Sequence, residues 1–279
     1  MLQHFEGHEK TVELGGSALN AIRAIAMLNQ STSFTGMIGD DVYGNKIKDR
    51  MKSLGIVENL GISSDHTGTC VVLVTPDGER TMLTSLGASR LYDETHIPEA
   101  DIASSKIFHF CGYQWDTDGQ KKAIRKAIDI AKEGGCLISF DVADPFVVRH
   151  HREIFVKLIA EDADVVFANE EESKILFETT PDEAARKIAE SGAIAVIKLG
   201  AKGALIQQGG DVVRIPAVAT TVIDTTAAGD MFAGGFLYGL SKGESVTNAG
   251  SYAARLAGDV ISRYGAKLSD EVIASITKG

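Results

Sequence analysis

At 279 residues, 44% hydrophobic and 24% charged, the chain can bury a full core without disulfide or metal staples. Its net charge of -10 argues against nucleic acid as a partner, and no window approaches the roughly 18 apolar residues of a membrane span. Cys70, Cys111 and Cys136 are too widely spaced for a C-x-x-C or zinc pattern and the start lacks an apolar leader, so reduced thiols and a cytoplasmic location are expected.

In chain order, Gly15–Leu28 reads as a glycine turn opening into an amphipathic helix, with Ala21, Ile25 and Leu28 on one face. A short strand at Ser33–Ile38 and a helix near Gly44–Leu54 follow. Thr67–Leu86 carries two β-rich runs around Pro76-Asp77-Gly78, a hairpin pattern. Strands are then predicted at Lys106–Phe110, Leu137–Asp141, Val165–Ala168 and Ala195–Leu199. Helices at about Gly119–Glu133, Glu153–Glu161, Glu171–Phe177 and Pro181–Ser191 alternate with them. This alternation predicts a mostly parallel sheet covered on both faces. A second hairpin at Ala204–Ile215 precedes a glycine-rich segment, and helices near 230–241, 246–263 and 269–277 close the chain. No repeat or linker divides it, so one α/β domain over 1–279 with a hairpin outgrowth is expected.

Asp224 to Leu240, DTTAAGDMFAGGFLYGL, is the segment richest in chemistry. The small residues Ala227, Ala228 and Gly229 allow close backbone approach and end where a helix begins. The N–H groups of a helix start, with the positive end of its dipole, favour phosphate or developing negative charge. Asp230 has two readings on this segment: an N-cap, or a base that accepts the proton of an attacking hydroxyl.

The segment resembles the C-terminal signature of the PfkB, or ribokinase-like, family of carbohydrate and nucleoside kinases, with Asp224, Ala227, Ala228, Gly229 and Asp230 in order. Ala227 stands where the family commonly has glycine; its N–H is retained, and function is expected unless the backbone there needs a positive φ. GGSALN, at Gly15–Asn20, followed by GMIGDDVYG, is similar to the family's N-terminal signature. The likeness implies that Gly16, Ser17 and Asn20 line a substrate pocket. Asp40 and Asp41 read as turn residues. NEEE after the strand VVFA resembles the family's N-x-x-E motif, which maps to Asn169 and Glu172; a solvated acidic helix start suits the residues equally well. KLGAKGAL resembles a nucleotide-contact turn and implies ATP contacts at Lys198, Gly200, Lys202 and Gly203, beside Asn169 and Gly229. Lys198 stands where relatives often have threonine.

The resemblance implies a ribokinase-like three-layer α/β/α sandwich with a mostly parallel sheet and a small β lid, its strands near 5–14 and 67–86. TPDGERTML, HFCGYQWD and FDVADPFVV look more like the adenosine-kinase-like branch than ribokinase proper. The implied activity is ATP-dependent phosphorylation of a sugar or nucleoside hydroxyl, with Asp230 as base and Arg80 reaching the transferred phosphate. Mg²⁺ would be held through water at Glu172, and K⁺ or a similar ion at Asp224. A homodimer through the lid is an open option. Trp115 reads as a core or rim residue before a stacking one. Relatives begin with a strand bearing a substrate-binding acid, whereas this chain reaches Gly15 at once, so that strand is expected to be missing. A non-catalytic nucleotide- or sugar-binding protein of the same fold is therefore the alternative.

Overall fold

The computed structural model describes residues 12–74 and 80–278, with Val74 and Arg80 as backbone only. α1 (Ser17–Met27) leads to β1 (Ser33–Gly39), α2 (Val42–Ser53) and β2 (Val57–Ser63). The hairpin strands β3 (Thr69–Val74) and β4 (Arg80–Ser85) and a short α3 (Glu99–Ser104) come next. Then β5 (Ile107–Cys111), α4 (Asp118–Glu133), β6 (Leu137–Asp141), α5 (Pro145–Glu161), β7 (Val165–Asn169), α6 (Glu170–Phe177), α7 (Pro181–Glu190) and β8 (Ile194–Lys198) alternate. The chain ends with β9 (Ala204–Gln208), β10 (Asp211–Ile215), α8 (Ala228–Ser241), α9 (Val246–Val260) and α10 (Asp270–Thr277).

Among the described residues six strands form the main sheet in the order β10-β9-β8-β7-β6-β5, with β5 to β8 parallel and β9 and β10 antiparallel. Successive side chains of a strand point to opposite faces, and both faces here are apolar. Val166 and Ala168 join Ile124, Ile128, Phe155, Leu158 and Ile188 in one core. Val165 and Phe167 join Ala24, Phe236, Leu237 and Ala253 in the other. The result is an α/β/α sandwich with α4 to α7 on one face and α1, α8 and α9 on the other. Trp115 belongs to the first core, edge-on to Phe155.

Local signals set the helix starts. Asp41 caps α2 by accepting from the Tyr43 and Gly44 amides and also accepts from Thr67, which confirms its turn role. Thr117 and Gln120 form a capping box on α4. α5 begins at Pro145, capped by Asp144, well before the predicted Glu153, and bends at His151, where the backbone leaves helical geometry. β2 has no counterpart among the expected strands; it pairs in parallel with β1 as a small separate sheet. The predicted hairpin is present as the antiparallel pair β3–β4, its 76–78 turn lying outside the described residues. The expected lid strand near 5–14 and the expected missing strand both turn on residues 1–11, also outside them, while residues 12–14 are irregular. Among the described residues no helix is long and apolar enough to cross a membrane.

α1 crosses α8 where Gly234 has no side chain: a Cβ there would lie 2.6 Å from both the Ala21 carbonyl oxygen and the Ala24 Cβ. Gly234→Val should therefore destabilise the protein by about 1–3 kcal/mol, the usual range for overpacking. Gly210→Ala, where a Cβ meets nothing within 4 Å, should be nearly neutral. Thermal denaturation of the two variants checks this.

Candidate active site

The α1–α8 crossing brings the two ends of the chain together around one carboxylate. Asp230 Oδ1 accepts from Ser17 Oγ at 2.7 Å, and Oδ2 accepts from Asn20 Nδ2 at 2.8 Å. Asp230 is not the helix cap. That position belongs to Ala227, and Asp230 is the third residue of α8. Its side chain bonds across to α1. Loss of solvent raises the Asp230 pKa above the ordinary carboxylate value, against the opposing hydrogen bonds from Asn20 and Ser17. Each oxygen keeps a further acceptor position for an incoming hydroxyl.

The C-terminal ends of the parallel strands, where open α/β sheets gather ligands, supply the rest. Lys198 at the end of β8 pairs with Asp141 at the end of β6, Nζ to Oδ2, at 2.9 Å. Burial opposes the ammonium charge, yet Asp141 and Glu172 hold the Lys198 pKa above its usual value. Asp141, 3% exposed, also accepts from the Ala143 amide. Gly229 gives the ammonium room: a Cβ there would sit 3.2 Å from Nζ. Lys198 is thus a fixed positive charge against the start of α8. His109 bonds Ser139 in the same layer, and burial pushes its pKa down to about 4, so its ring is neutral.

At the end of β7, Asn169 and Glu172 form a capping box. The Asn169 backbone and side-chain amides donate to the two Glu172 oxygens at 2.7 and 2.6 Å, and Asn169 Oδ1 accepts from the Glu172 amide. Glu172 is buried, unlike a solvated helix start. Desolvation pushes its pKa up to about 7, with Lys198 pulling down and Asp141 adding to the rise. Asp224 fastens the loop before α8: Oδ1 accepts from the Thr226 amide and hydroxyl, and Oδ2 accepts from the Gly265 amide. Ala227 lies in the left-handed region at φ 62°, the positive φ that its resemblance to a glycine position left open. The Ala228 amide reaches the Thr225 carbonyl only at a long 3.3 Å.

A cluster of buried carboxylate, helix start and buried cation is suited to moving a phosphoryl group. Residues 3–273 match the pfkB family carbohydrate kinases. The chain belongs to that family. Its structure resembles an adenosine kinase from Sinorhizobium meliloti at TM-score 0.91 and 32% identity, covering 97% of this chain and 84% of that one. A 5-dehydro-2-deoxygluconokinase from Bacillus licheniformis is 26% identical over 276 residues, covering 94% of this chain and 85% of the relative. A putative ribokinase II from E. coli, crystallised with ATP and Mg²⁺, shares the fold at TM-score 0.85 and 20% identity, covering 98% and 93% of the two chains.

In this pfkB-family kinase the positions singled out from sequence divide into groups. Ser17, Asn20, Asp230, Gly229 and Lys198 meet in one place. Gly16 starts α1 at φ 102°, its carbonyl accepting from the Asn20 amide. Gly200 and Lys202 lie in the turn after β8, where Lys202 is exposed and 3.9 Å from Glu170. The missing Cβ of Gly203 is explained by packing, since it would strike the Ile215 carbonyl at 1.9 Å. The Arg80 side chain lies outside what the structure describes. Asp141, His109 and Arg23 were not singled out, although Asp141 stands at a parallel strand's C-terminal end within the run FDVADP.

Ala227→Gly should stabilise the protein by about 0.5–1 kcal/mol, because relief of the left-handed strain exceeds the added chain entropy; calorimetry against wild type measures it. Glu172 keeps its proton up to about pH 7 when folded, against an ordinary value of 4.5. Its stabilising contribution is thus full below about pH 4.5 and is lost as pH rises through 7. In EDTA buffers from about pH 5 to 8, the melting temperature of Glu172→Gln relative to wild type should shift in the variant's favour. The lost acceptor adds only a pH-independent offset.

Proposed function

We propose that this protein transfers the γ-phosphoryl group of ATP to a hydroxyl of a sugar or nucleoside, with an adenosine-like nucleoside as the favoured acceptor. The observation that carries the reading is the Asp230 carboxylate, held by Ser17 and Asn20 beside the start of α8. Asp230 takes the proton of the acceptor hydroxyl as its oxygen bonds the γ-phosphorus and the bond to the β–γ bridging oxygen breaks, releasing ADP. The Ala228 and Gly229 amides and the Lys198 ammonium stabilise charge on the transferred group. Gly16, Ser17 and Asn20 border the acceptor. Asn169, Gly200, Lys202 and Gly203 border ATP.

Both Glu172 oxygens face Asn169, so this carboxylate suits a Mg²⁺ ion held through water better than direct ligation. The ion supplies charge neutralisation on the phosphates. Asp224 serves a monovalent cation by keeping the loop's carbonyls in place, since its own oxygens already serve Thr226 and Gly265. Exposed Val72 and Met82, cross-strand partners on one face of the hairpin, support pairing of two lids in a homodimer. The adenosine preference rests on the likeness to the Sinorhizobium enzyme; the Bacillus relative favours a free sugar acid.

ADP release, measured with adenosine and 5-dehydro-2-deoxygluconate in parallel, separates the acceptors. Asp230→Asn should leave ATP affinity nearly intact and lower kcat by roughly 10²-fold or more. Full turnover in that variant removes Asp230 as the base. Binding of both substrates by wild type without ADP release would establish the non-catalytic alternative.

A further inference from the structure

Behind the Asp230 clamp lies a charge that the proposed chemistry leaves unused. Arg23, 2% exposed, donates to the Leu14 carbonyl at 2.9 Å, the Ala266 carbonyl at 3.1 Å and Asn20 Oδ1 at 3.0 Å. A carboxamide has one end that accepts and one that donates, and a guanidinium only donates. With Oδ1 fastened to Arg23, the Asn20 amide must present Nδ2 to Asp230, as it does. The flipped amide would set oxygen against carboxylate and NH₂ against guanidinium. The second arm of Arg23 holds Ala266, the neighbour of Gly265, whose amide secures Asp224. One side chain thereby braces both the base and the loop leading to the helix start.

We propose that Arg23 is a positioning residue for phosphoryl transfer: it fixes the orientation of the Asn20 amide and so keeps a hydrogen-bond donor on Asp230. This rests on the reading of Asp230 as the base. The other charges near Asp230 are Asp141 from β6 and Lys198 from β8, already paired with each other. Cys111 at the end of β5, its thiol pushed up to about 12 by burial, and Tyr113 beyond it, also raised, stay neutral. Arg23 itself is faced by Arg50 from α2 and by Glu13. Among these groups Arg23 alone touches the Asn20 oxygen.

The Asp230 titration, followed by carboxyl ¹³C NMR in the free protein and assigned with Asp230→Asn, tests the link without turnover. Arg23→Met should raise the midpoint by about one pH unit, the scale of one charged hydrogen bond. Arg23→Lys, which keeps a donor but cannot serve three acceptors at once, should give a smaller rise. In an Asn20→Leu background, Arg23→Met should produce no further shift. The acid limb of kcat should move to higher pH in the same order. A folded Arg23→Met protein with an unchanged midpoint, or the full shift persisting without Asn20, overturns the proposal. If Arg23→Met does not fold, an unshifted Arg23→Lys overturns it equally. Absence of turnover in wild type would instead count against the kinase reading and leave the titration result standing.

Discussion

A carboxylate withdrawn from water needs donors, and the seam between α1 and α8 exists around that requirement. Asp230 is met by side chains 213 and 210 positions away, Ser17 and Asn20. To deliver them, two helix backbones must nearly touch, which the Ala21, Ala24 and Gly234 surfaces allow and larger residues would prevent. The helices can cross there because both rest on the face of the sheet that presents Val165, Phe167 and Val196. The sheet thus sets the floor, the small residues set the distance, and the hydrogen bonds set the angle of one buried carboxylate.

Around this clamp the strand ends place charges of alternating sign. Asp141 neutralises Lys198, and Lys198 in turn lies against Gly229 and within the field of Asp230 and Glu172. Asp141 and Lys198 come from β6 and β8, with β7 between them, so the pair spans three strands of the sheet. A buried pair of this kind contributes little to stability by itself. What it provides here is a cation fixed in place beside the start of α8.

Much of the fold was legible because its signals are local. Parallel strands such as VVFA and the alternating helices follow from hydrophobic period, and capping residues such as Thr117 mark the starts. β2 escaped because VENLGIS mixes Glu58, Asn59 and Gly61 into a half-exposed strand that pairs with β1. The start of α5 escaped because Phe146 to Val148 extends the apolar run of β6, although Asp144-Pro145 is a sound start signal. In the site, the glycine pair, Asn20 and Asp230 were readable from motifs. Arg23 was not: on a helix pattern it reads as a solvated face, and only the packing of the 261–268 segment shows that it points inward. Asp230 as a cap was also a local reading, overturned by a contact across the whole chain.

That last contact orders events as the protein is made. Synthesis proceeds from the N-terminus, so α1 leaves the ribosome long before Asp230 exists. Until α8 follows, the Asn20 amide and the guanidinium of Arg23 have each other and the Leu14 carbonyl, but no carboxylate to meet. Contacts of such long sequence separation form late, since closing the intervening chain costs entropy before any reward. A nascent chain stalled before residue 230 lacks that carboxylate together with α8 and α9, which cover one face of β5 to β8. Completion of the fold and appearance of the site are therefore one event, set by the final helices.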